Sequence, residues 1–572
     1  MTEHRREDSG SASAAGYAPG AFAGSRAADG PTIAERLRAA EPDEPRPLSS
    51  LVTRLRERFD DATLVAPESE ATAGPHGDTW ISGIAADSRR VGKGNLFVAI
   101  PGARSDGHAF ATAATRSGAA AVLAEHRING LAVPQVIVRG ARAALAEAAA
   151  WWYGDPSHEL GVVGITGTDG KTTTGFMAVA ALQAAGVSSG LISTVATRIG
   201  GRTEPNHKHS TTPEAPELQR ALRAMVLSGD RVATIETTSH GLAMDRVGAI
   251  AYDVAILTNV THEHLELHGT FEAYRDAKMS LFRRLALPHG SRAVRQSEWP
   301  SAGIVNSDDP SAPLFIDAAG EAGARILTYG RSDRSTARLT AVRDDPGGLV
   351  VFYQLAGRDR AVHLRLKGRF NAYNTLAVVC LGVALDLDPD AVDAGLAGLE
   401  RVPGRMEQVD RGQPFTVVID YAHSPASLAA VLEELAALSD GRGGLIAVFG
   451  SAGDRDVAKR PLMGRIAAEH CRLIVLTDED PRGEDGSSIL RDIAAGVRRA
   501  SSATSPVPPV AVLEIPDRGQ AIREAFRQAR PGDTVLLAGK GHETTIEYAD
   551  GAKAWNEYAE AMAALAELGW TD

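Results

Sequence analysis

The stretch that most constrains the fold of this chain is residues 161–174, with the sequence GVVGITGTDGKTTT. An apolar segment leads into a glycine-rich turn, and Lys171 and three threonines follow it. A strand, turn and helix of this kind present backbone N–H groups and the positive end of the helix dipole to phosphate. The lysine then reaches the terminal phosphates, and the hydroxyl of Thr172 holds Mg²⁺. The sequence therefore predicts a phosphate-binding loop after a buried strand.

The spacing of this loop departs from the strict Walker A pattern, in which four residues separate the first glycine from the Gly-Lys pair. The leading glycine here is Gly164, one position too early for that pattern. An ordinary strand–turn–helix corner is the alternative interpretation, and Gly-Lys-Thr-Thr after an apolar strand argues against it. The family has to be decided by the rest of the chain.

Length and composition limit the class of protein. A chain of 572 residues with 44% hydrophobic content predicts three or four domains with their own cores. The net charge of −12 argues against a nucleic-acid partner, since such proteins usually carry a basic face. Two cysteines in apolar contexts, Cys380 and Cys471, predict reduced, buried thiols in a cytoplasmic protein. We expect no membrane span and no secretion signal, because no sufficiently long apolar run occurs. No feature predicts an oligomer, so a monomer is expected.

Short apolar strands alternating with helices predict an α/β fold with a mostly parallel sheet. We expect a disordered tail over 1–46, except for a short helix over 33–40. Three α/β domains follow over 47–155, 156–400 and 401–572, with a linker near 400–404. Buried strands are expected at 231–237 and 252–257, antiparallel strands over 338–366, and further strands at 415–420, 445–450, 473–477 and 534–538.

Polar residues follow the predicted strands of the central domain. Glu236 ends a strand near the phosphate-binding loop, and Mg²⁺ prefers one or two carboxylates together with phosphates, so Glu236 is a metal candidate. A carboxylate that caps a turn is the alternative. Ser239 is a candidate for substrate contact, and Arg246 for pairing with a substrate carboxylate.

Three histidines within residues 259–268 suggest zinc at first sight. Their spacing does not fit a His-Glu-x-x-His site and no cysteine accompanies them, so a structural zinc site is not expected. His264 is a better candidate for a position near a hard metal or phosphate. Lys278 follows on an amphipathic helix, where an isolated lysine is usually a solvated charge.

Charged loops also end successive strands of the third domain. They are 420–425 with Asp420 and His423, 449–461 with Arg455, 478–485 with Glu479, Asp480 and Arg482, and 539–543 with Gly539 and Glu543. Each loop alone could be an ordinary polar turn. Because ligands bind at the carboxyl edge of such sheets, together they predict an active site.

These motifs, in this order, resemble the Mur ligases over about residues 80–545. Folylpolyglutamate synthases share the phosphate-binding loop but are not expected to carry the Asp-Ser-Arg or the Gly-Lys-Gly-His-Glu segment. The segments that carry the resemblance are 87–89, 167–173, 210–213, 236–242, 259–264, 274–278, 371–374, 404–407, 420–423, 453–455 and 539–543.

The resemblance implies a small UDP-binding α/β domain, a central P-loop ATPase domain and a Rossmann-like C-terminal domain. It implies ATP and Mg²⁺ as cofactors. It also implies an activity in peptidoglycan precursor synthesis, in which a diamino acid is added to UDP-N-acetylmuramoyl-L-alanyl-D-glutamate through an acyl phosphate. Positioning and charge neutralisation dominate such phosphoryl transfer.

The resemblance also implies roles for individual residues by motif match. Lys278 matches a lysine that this family carbamylates, which would give it a carboxylate for a second Mg²⁺, and Lys171, Lys278 and His264 are the expected catalytic residues. Ser88 is expected at the uridine nucleotide, and Thr211, Thr212, Ser239 and Arg246 at the muramoyl dipeptide. ATP is assigned to Gly167, Thr168, Asp169, Gly170, Lys171, Thr172, Thr173, Asn371, Arg405, Asp420 and His423, and metal to Thr172, Glu236, His264 and carbamylated Lys278.

The diamino acid is assigned to Arg455, Glu479, Asp480, Arg482, Gly539 and Glu543. Family members that use meso-diaminopimelate usually show Asp-Asn-Pro-Arg where this chain has Glu-Asp-Pro-Arg. Because the charge of Asp480 should favour a terminal ammonium over a carboxylate, the sequence predicts L-lysine or a similar basic diamino acid. Another amide ligase of the superfamily, or a non-catalytic nucleotide-binding protein, remains an alternative. The second is disfavoured because Lys171, Glu236, Lys278 and His423 are all present.

Overall fold

The computed structural model describes residues 30–66, 78–102, 105–206, 210–261, 265–286, 299–345, 347–439, 441, 443–500 and 510–571. The chain divides into two compact units: one is Ala28–Val402, and the other includes Pro403–Asp572. The division falls inside the linker expected at 400–404. Each unit is described by itself.

The first part of the Ala28–Val402 unit contains a five-stranded sheet in the order β2-β7-β6-β5-β4, in which β4 to β7 are parallel. Leu51, Leu55 and Leu145 are buried in the core between this sheet and two helices, α2 and α4. The elements are α1 Ile33–Ala39, β1 Arg46–Pro47, α2 Leu48–Arg58, β2 Thr63–Val65, β3 Trp80–Ile81, β4 Gly83–Ala85, β5 Asn95–Val98, α3 Ala111–Arg116, β6 Ala121–Ala124, β7 Gln135–Ile137 and α4 Ala141–Tyr153.

The rest of this unit is built on an eleven-stranded sheet in the order β11-β10-β9-β12-β8-β13-β14-β15-β16-β17-β18. The elements are β8 Gly161–Thr166, α5 Lys171–Ala184, β9 Ser189–Ile192, β10 Ala196–Ile199, β11 Arg202–Pro205, α6 Ala215–Leu227, β12 Val232–Glu236, α7 Ser239–Ala243, β13 Val254–Leu257, α8 Leu265–His268, α9 Phe271–Arg283, β14 Ala302–Asn306, α10 Ala312–Glu321, β15 Arg325–Gly330, β16 Ala337–Asp345, β17 Gly348–Leu355, β18 Arg358–Leu364, α11 Asn371–Ala384 and α12 Pro389–Gly398.

The centre of this sheet is parallel, and both its faces are covered. Strands β8, β12 and β13 are buried at every residue, as expected for apolar strands between two helical layers. Helices α6, α9 and α10 contribute to one core against these strands, while α5, α11 and α12 contact one another. The strands predicted at 231–237 and 252–257 are confirmed as β12 and β13. The antiparallel strands predicted over 338–366 are confirmed as β16 to β18.

The predicted disorder of the 1–46 segment does not hold from residue 30 onwards. Helix α1 lies where the short helix was expected, and its Thr32 and Glu35 form a capping box. The Ile33 N–H donates to Glu204 Oε1 at 3.2 Å, and Arg36 Nη1 donates to Ser228 Oγ at 2.7 Å. These contacts are long-range, so they could not be read from local composition. Residues 1–29 lie outside the described part of the chain.

The Pro403–Asp572 unit contains a six-stranded sheet in the order β19-β20-β24-β21-β22-β23, parallel except for β19. Helices α13 to α15 supply one core cluster and α16 and α17 the other, so both faces are covered, as in Rossmann-like folds. All four strands predicted here are confirmed. The elements are β19 Glu407–Val409, β20 Thr416–Asp420, α13 Pro425–Leu438, β21 Leu445–Phe449, α14 Lys459–His470, β22 Cys471–Leu476, α15 Gly486–Ala500, β23 Ala511–Glu514, α16 Arg518–Gln528, β24 Thr534–Ala538, β25 Thr545–Tyr548, β26 Gly551–Ala554 and α17 Glu557–Glu567.

Both cysteines are free and buried, as predicted. Burial raises the pKa of the Cys380 and Cys471 thiols to about 12, so both stay protonated. No helix in the described ranges is both long and apolar enough to cross a membrane.

Candidate active site

The glycine-rich turn joins β8 to α5, as the sequence predicted. Gly170 precedes the first residue of α5 with φ +83°, and Gly167 has φ +149°. A Cβ at Gly167 would lie 1.8 Å from Thr258 Oγ1, and one at Gly170 would lie 2.5 Å from Asn374 Oδ1. The turn therefore requires glycine at both positions, on conformational and on steric grounds.

A second loop, after β13, holds the turn in place. Asn259 accepts the N–H of Thr168 on its carbonyl at 2.9 Å and that of Asp169 on Oδ1 at 3.0 Å. Thr258 Oγ1 donates to the Asp169 carbonyl at 2.6 Å. The Thr168 hydroxyl lies 3.1 Å from the hydroxyl of Tyr274 on α9. Four of the predicted ATP-binding residues, 167–170, thus form a loop fixed by its neighbours.

Two lysine side chains converge on one backbone carbonyl of the turn. Lys171 Nζ donates to Gly167 O at 2.9 Å and to Thr168 O at 2.6 Å. Lys278 Nζ donates to the same Gly167 O at 2.6 Å and lies 4.3 Å from the centre of the Tyr274 ring. Lys278 is only 2% exposed, so the solvated-charge interpretation is wrong. The structure thus brings together two residues that are 107 positions apart in the sequence, and both were predicted to be catalytic.

Glu236 ends β12, the neighbour of β8 in the sheet, and is fully buried. Its Oε2 accepts from Thr194 Oγ1 at 2.7 Å, whereas its Oε1 has no hydrogen-bond partner within the part of the chain that the structure describes. A buried carboxylate oxygen without a partner is costly unless a cation or a donor completes it. Thr172 is also a predicted metal ligand. It lies at the beginning of α5, directly after the glycine-rich turn, and is 4% exposed.

Three of the residues predicted for the dipeptide, Thr211, Thr212 and Arg246, form one hydrogen-bonded group around Glu236. Thr212 Oγ1 donates to the Glu236 carbonyl at 2.8 Å, and Thr194 Oγ1 lies 2.9 Å from Thr211 Oγ1. Arg246 donates to Thr212 O at 2.9 Å and pairs with Glu214 at 2.7 Å. Arg246 therefore already has a carboxylate partner, which a substrate would have to replace.

The remaining predicted residues of this unit lie on separate elements. Ser239 is the first residue of α7 and is buried. Asn371 belongs to the same unit as the turn and accepts from Asn374 Nδ2 at 2.9 Å, and Thr174 of α5 donates to Asn374 at 3.2 Å. Ser88 begins a short 3₁₀ helix and is half-buried. His264 lies outside the described residues, so the structure gives no position for it.

In the Pro403–Asp572 unit, Asp420 organises the chain around the end of β20. Its Oδ2 accepts the N–H of Met406 at 2.8 Å and its Oδ1 that of Ala422 at 2.9 Å. Arg405 Cζ lies 4.8 Å from the centre of the Tyr421 ring, and the centre of the His423 ring lies 4.6 Å from it. His423 comes two residues before α13. Arg405, Asp420 and His423 are therefore brought together, as predicted.

The two loops that carry Arg455 and Arg482 are tied to each other. The Gly453 N–H donates to Asp480 O at 2.8 Å, and the Gly483 N–H donates to Asp454 Oδ2 at 3.1 Å. Arg455 is exposed and Arg482 is half-buried with φ +55°. Both guanidinium groups therefore lie on neighbouring loops at the carboxyl end of the sheet.

The negative charge of Asp480, from which the sequence favoured a basic diamino acid, is paired inside the protein. Asp480 is 5% exposed, and its Oδ1 accepts from Lys540 Nζ at 2.8 Å and from the Glu547 N–H at 2.9 Å. Lys540 also pairs with Glu543, whose other oxygen accepts from Tyr421. Burial, with Glu543 beside it, raises the pKa of Tyr421 well above its ordinary value, so the hydroxyl remains a donor.

Glu479 differs from these paired carboxylates. It is 5% exposed, and its Oε2 lacks a hydrogen-bond partner among the described residues. A Cβ at Gly539 would lie 2.9 Å from that oxygen, so the glycine leaves space beside it. Glu479 and Gly539 thus form a small acidic recess at the carboxyl ends of β22 and β24, the two neighbours of β21 in the sheet.

The sequence interpretation missed several supporting residues. Asp309 Oδ2 accepts the N–H of Val260 at 2.6 Å, and Asn306 Nδ2 donates to Thr258 O at 2.9 Å, so both fix the loop that holds the turn. Their position directly after an apolar strand was an available signal.

Lys540 lies inside the 539–543 segment and three residues from its partner Glu543, so only its pairing with the distant Asp480 lacked a sequence signal. Thr194 offered no signal, because its partner Glu236 is 42 positions away. No group of three metal-binding side chains occurs in the described ranges.

A glycine-rich turn at the carboxyl end of a central parallel strand, with a separate Rossmann-like unit, is typical of the class of nucleotide-binding enzymes. Three family models match the chain: the Mur ligase family catalytic domain over residues 80–153, the Mur ligase middle domain over 165–382, and the Mur ligase glutamate ligase domain over 404–541. The chain belongs to the Mur ligase family and is an ATP-dependent ligase, as the resemblance implied.

Individual relatives agree. The chain is 45% identical to a UDP-N-acetylmuramyl-tripeptide synthetase of Roseiflexus sp., over 86% of this chain and 95% of that protein. It is 39% identical to a UDP-N-acetylmuramoyl-L-alanyl-D-glutamate–2,6-diaminopimelate ligase of Geobacillus kaustophilus, over 86% and 96%. A solved structure of a ligase with that same name is 28% identical, with a TM-score of 0.59 over 89% of this chain and 100% of that one.

Proposed function

We propose that this ligase joins a diamino acid to the D-glutamate carboxyl of UDP-N-acetylmuramoyl-L-alanyl-D-glutamate, with ATP as the phosphoryl donor. The observation that carries the proposal is the convergence of Lys171 and Lys278 on Gly167 O, together with a buried Glu236 oxygen that has no hydrogen-bond partner among the described residues. The names of the relatives support the substrate.

The residues present fit a bound nucleotide and Mg²⁺. Glu236 Oε1 and the hydroxyl of Thr172 are the donors that a hard cation prefers. Bound ATP and Mg²⁺ supply the transferable phosphoryl group and neutralise its charge. Lys171 is already held over the turn by two carbonyls, and we propose that it exchanges them for phosphate oxygens. We also propose that Ser88 contacts the uridine nucleotide and that Asn371, Arg405, Asp420 and His423 contact ATP.

We propose that the acceptor carboxyl is held by the group around Glu236. Thr211 and Thr212 offer hydroxyl groups there, and we propose that Ser239, on α7, contributes a third. Arg246 offers a guanidinium whose present partner, Glu214, is half-exposed, so water can solvate Glu214 when a substrate carboxylate replaces it. Once activated as an acyl phosphate, the carboxyl carbon is attacked by the free amine of the diamino acid, and phosphate leaves.

We propose that Lys278 acts as a carbamate. Carbamylation joins the uncharged Lys278 amine to CO₂ with release of a proton, and it turns a cation into an anion that Mg²⁺ and His264 can share. Support comes from the burial of Lys278 beside Gly167 O, which positions Nζ at the turn.

We propose meso-diaminopimelate as the diamino acid rather than L-lysine. The argument for lysine depended on an unpaired charge at Asp480, and Lys540 neutralises that charge. Arg482 and Arg455 then offer guanidinium groups suited to bidentate binding of carboxylates. The 2,6-diaminopimelate ligases among the relatives support this choice.

The test is a panel of meso-diaminopimelate, L-lysine, L-ornithine and L-glutamate, each with ATP·Mg²⁺ and UDP-N-acetylmuramoyl-L-alanyl-D-glutamate. We expect ADP release only when the UDP-dipeptide and a diamino acid are both present, with the product mass of the diaminopimelate adduct. Product from lysine alone would contradict the amino-acid assignment. ADP release with a folate and glutamate instead would move the chain to another ligase of the superfamily.

A further inference from the structure

We refer to residues 478–485 and 539–543 of the Pro403–Asp572 unit as the acidic loops. They contain the buried ammonium group of Lys540. Its side chain is fully buried, and its Nζ contacts Asp480 Oδ1 at 2.8 Å and also Glu543 Oε2. The lysine follows Gly539 directly after β24, so the end of a central strand delivers it between two carboxylates. Desolvation lowers the pKa of this lysine, but the two carboxylates outweigh it and raise the pKa overall, so the group stays charged.

Among the residues proposed for the diamino acid, the charges balance only when Lys540 is counted with them. The residues proposed for the diamino acid comprise three carboxylates, Glu479, Asp480 and Glu543, and two guanidinium groups, Arg455 and Arg482. The set carries one excess negative charge without Lys540 and none with it. Diaminopimelate at neutral pH carries two ammonium and two carboxylate groups and has no net charge, whereas lysine carries one net positive charge.

The three carboxylates are not equivalent. Asp480 and Glu543 both pair with Lys540, while Glu479 Oε2 has no hydrogen-bond partner within the described ranges and lies beside the space that Gly539 leaves. A buried oxygen of this kind is suited to an ammonium group. The recess therefore offers one carboxylate for an ammonium group and keeps the other two neutralised.

We infer that Lys540 is a specificity-determining residue: by neutralising Asp480 and Glu543, it makes the loops select a zwitterionic diamino acid over a basic one. The inference depends on the proposed function, since it concerns the amino-acid substrate of that reaction. Lys540 acts through the two carboxylates and is a positioning residue. Selection of this kind works by leaving a wrong partner with unmatched charge.

A charge cycle at two positions tests the inference. The variants are Lys540→Met, Asp480→Asn and the double variant, and each is assayed for kcat and KM with diaminopimelate and with lysine. Lys540→Met leaves two unpaired carboxylates, so the ratio of kcat/KM for diaminopimelate to that for lysine should fall about tenfold or more, mainly through KM. Asp480→Asn should raise the same ratio, and the double variant should return it to within about threefold of the unaltered protein.

Arg499→Met is the control. It removes one positive charge from an exposed position near the end of α15 in the same unit and should leave the ratio unchanged. Should Lys540→Met fail to fold, Asp480→Asn and the double variant still decide the question, because the double variant restores the charge balance.

The outcomes separate the two proposals. If Asp480→Asn and the double variant still form product with an unchanged ratio of kcat/KM for diaminopimelate to that for lysine, the specificity role of Lys540 is overturned and the proposed function stands. Absence of product from the unaltered protein with every diamino acid would overturn the proposed function and this inference with it. A loss of kcat with both amino acids alike would also contradict the inference, because it indicates a structural role.

Discussion

The phosphate-binding turn of the Ala28–Val402 unit and the acidic loops of the Pro403–Asp572 unit use charge in opposite ways. At the turn, Lys171 and Lys278 are held by backbone carbonyls, and Glu236 keeps one oxygen without a partner among the described residues. In the acidic loops, Asp480 and Glu543 are neutralised by Lys540. Elsewhere in the same unit, Arg518 at the start of α16 pairs with Glu557 at the start of α17, and both side chains are fully buried.

The difference shows which charges remain available to a ligand. Lys171 donates to two neutral carbonyls and can exchange them for phosphate oxygens without leaving a buried charge unpaired. Breaking a buried ion pair leaves an uncompensated charge and is strongly destabilising. We therefore expect substitutions at the turn to reduce activity and leave folding intact, and substitutions of the internal pairs to reduce stability.

The largest expected effect is that of Lys171→Met. Removing the cation proposed to meet the developing phosphate charge should lower kcat by about 10³-fold, equivalent to about 4 kcal/mol. Steady-state ADP release measures it, and thermal melting should be unchanged. Lys93→Met, at an exposed position of the same unit, is the control. A large drop in melting temperature with Lys171→Met would contradict the expectation that substitutions at the turn leave folding intact, since the lysine would then be structural.

The next effect is that of Glu557→Gln on stability. Arg518 Nη2 lies 2.6 Å from Glu557 Oε1, and Arg518 also donates to Ala538 O at 2.8 Å. The substitution leaves the guanidinium without its carboxylate and should lower the free energy of unfolding of this unit by about 3 kcal/mol. Urea unfolding followed by tryptophan fluorescence measures the loss.

An exposed pair calibrates the Glu557→Gln result. Asp276→Asn breaks a surface ion pair in which the side chain of Asp276 is 58% exposed and that of Arg283 is 48% exposed. It should lower the free energy of unfolding by no more than about 1 kcal/mol. Equal losses from Asp276→Asn and Glu557→Gln would show that burial does not set the difference.

The smallest expected effect is that of Asp478→Asn, and it depends on pH. Burial, with Asp517 nearby, raises the pKa of Asp478 from 3.8 to about 6. The folded protein therefore binds this proton more tightly than the unfolded chain, and stability is lost as pH rises from 3.8 through about 6. Because Asp478 is half-buried, screening reduces the effect.

Above pH 7 we expect Asp478→Asn to stabilise the unit by about 1 kcal/mol, and below pH 4 by nothing measurable. Urea midpoints at several pH values measure this dependence. A gain that does not change with pH would contradict the assigned titration and indicate a packing effect instead.

Local sequence predicted the backbone of the site well. The strand β8, the turn at Gly167 to Gly170 and the helix start at Lys171 follow from residue type, because glycine conformation and apolar runs act over a few positions. The strand ends that carry Glu236 and Asp420 were predicted for the same reason.

The pairing of charges could not be predicted in this way. The sequence favoured a free charge at Asp480, but Lys540 neutralises it from 60 residues further along the chain. The solvated Lys278 expected from an amphipathic helix is instead buried against Gly167, and helix α1 reaches Glu204 across 171 positions.

The sequence by itself determined the α/β class, several buried strands, the glycine-dependent turn and membership of the Mur ligase family. These depend on short-range conformational preference and on motifs that adjoin strand ends. Only the tertiary structure decided which carboxylates are neutralised and which, like Glu236 and Glu479, keep an oxygen without a partner among the described residues. The physical reason is that the electrostatic state of a buried group depends on neighbours that folding brings from distant parts of the chain.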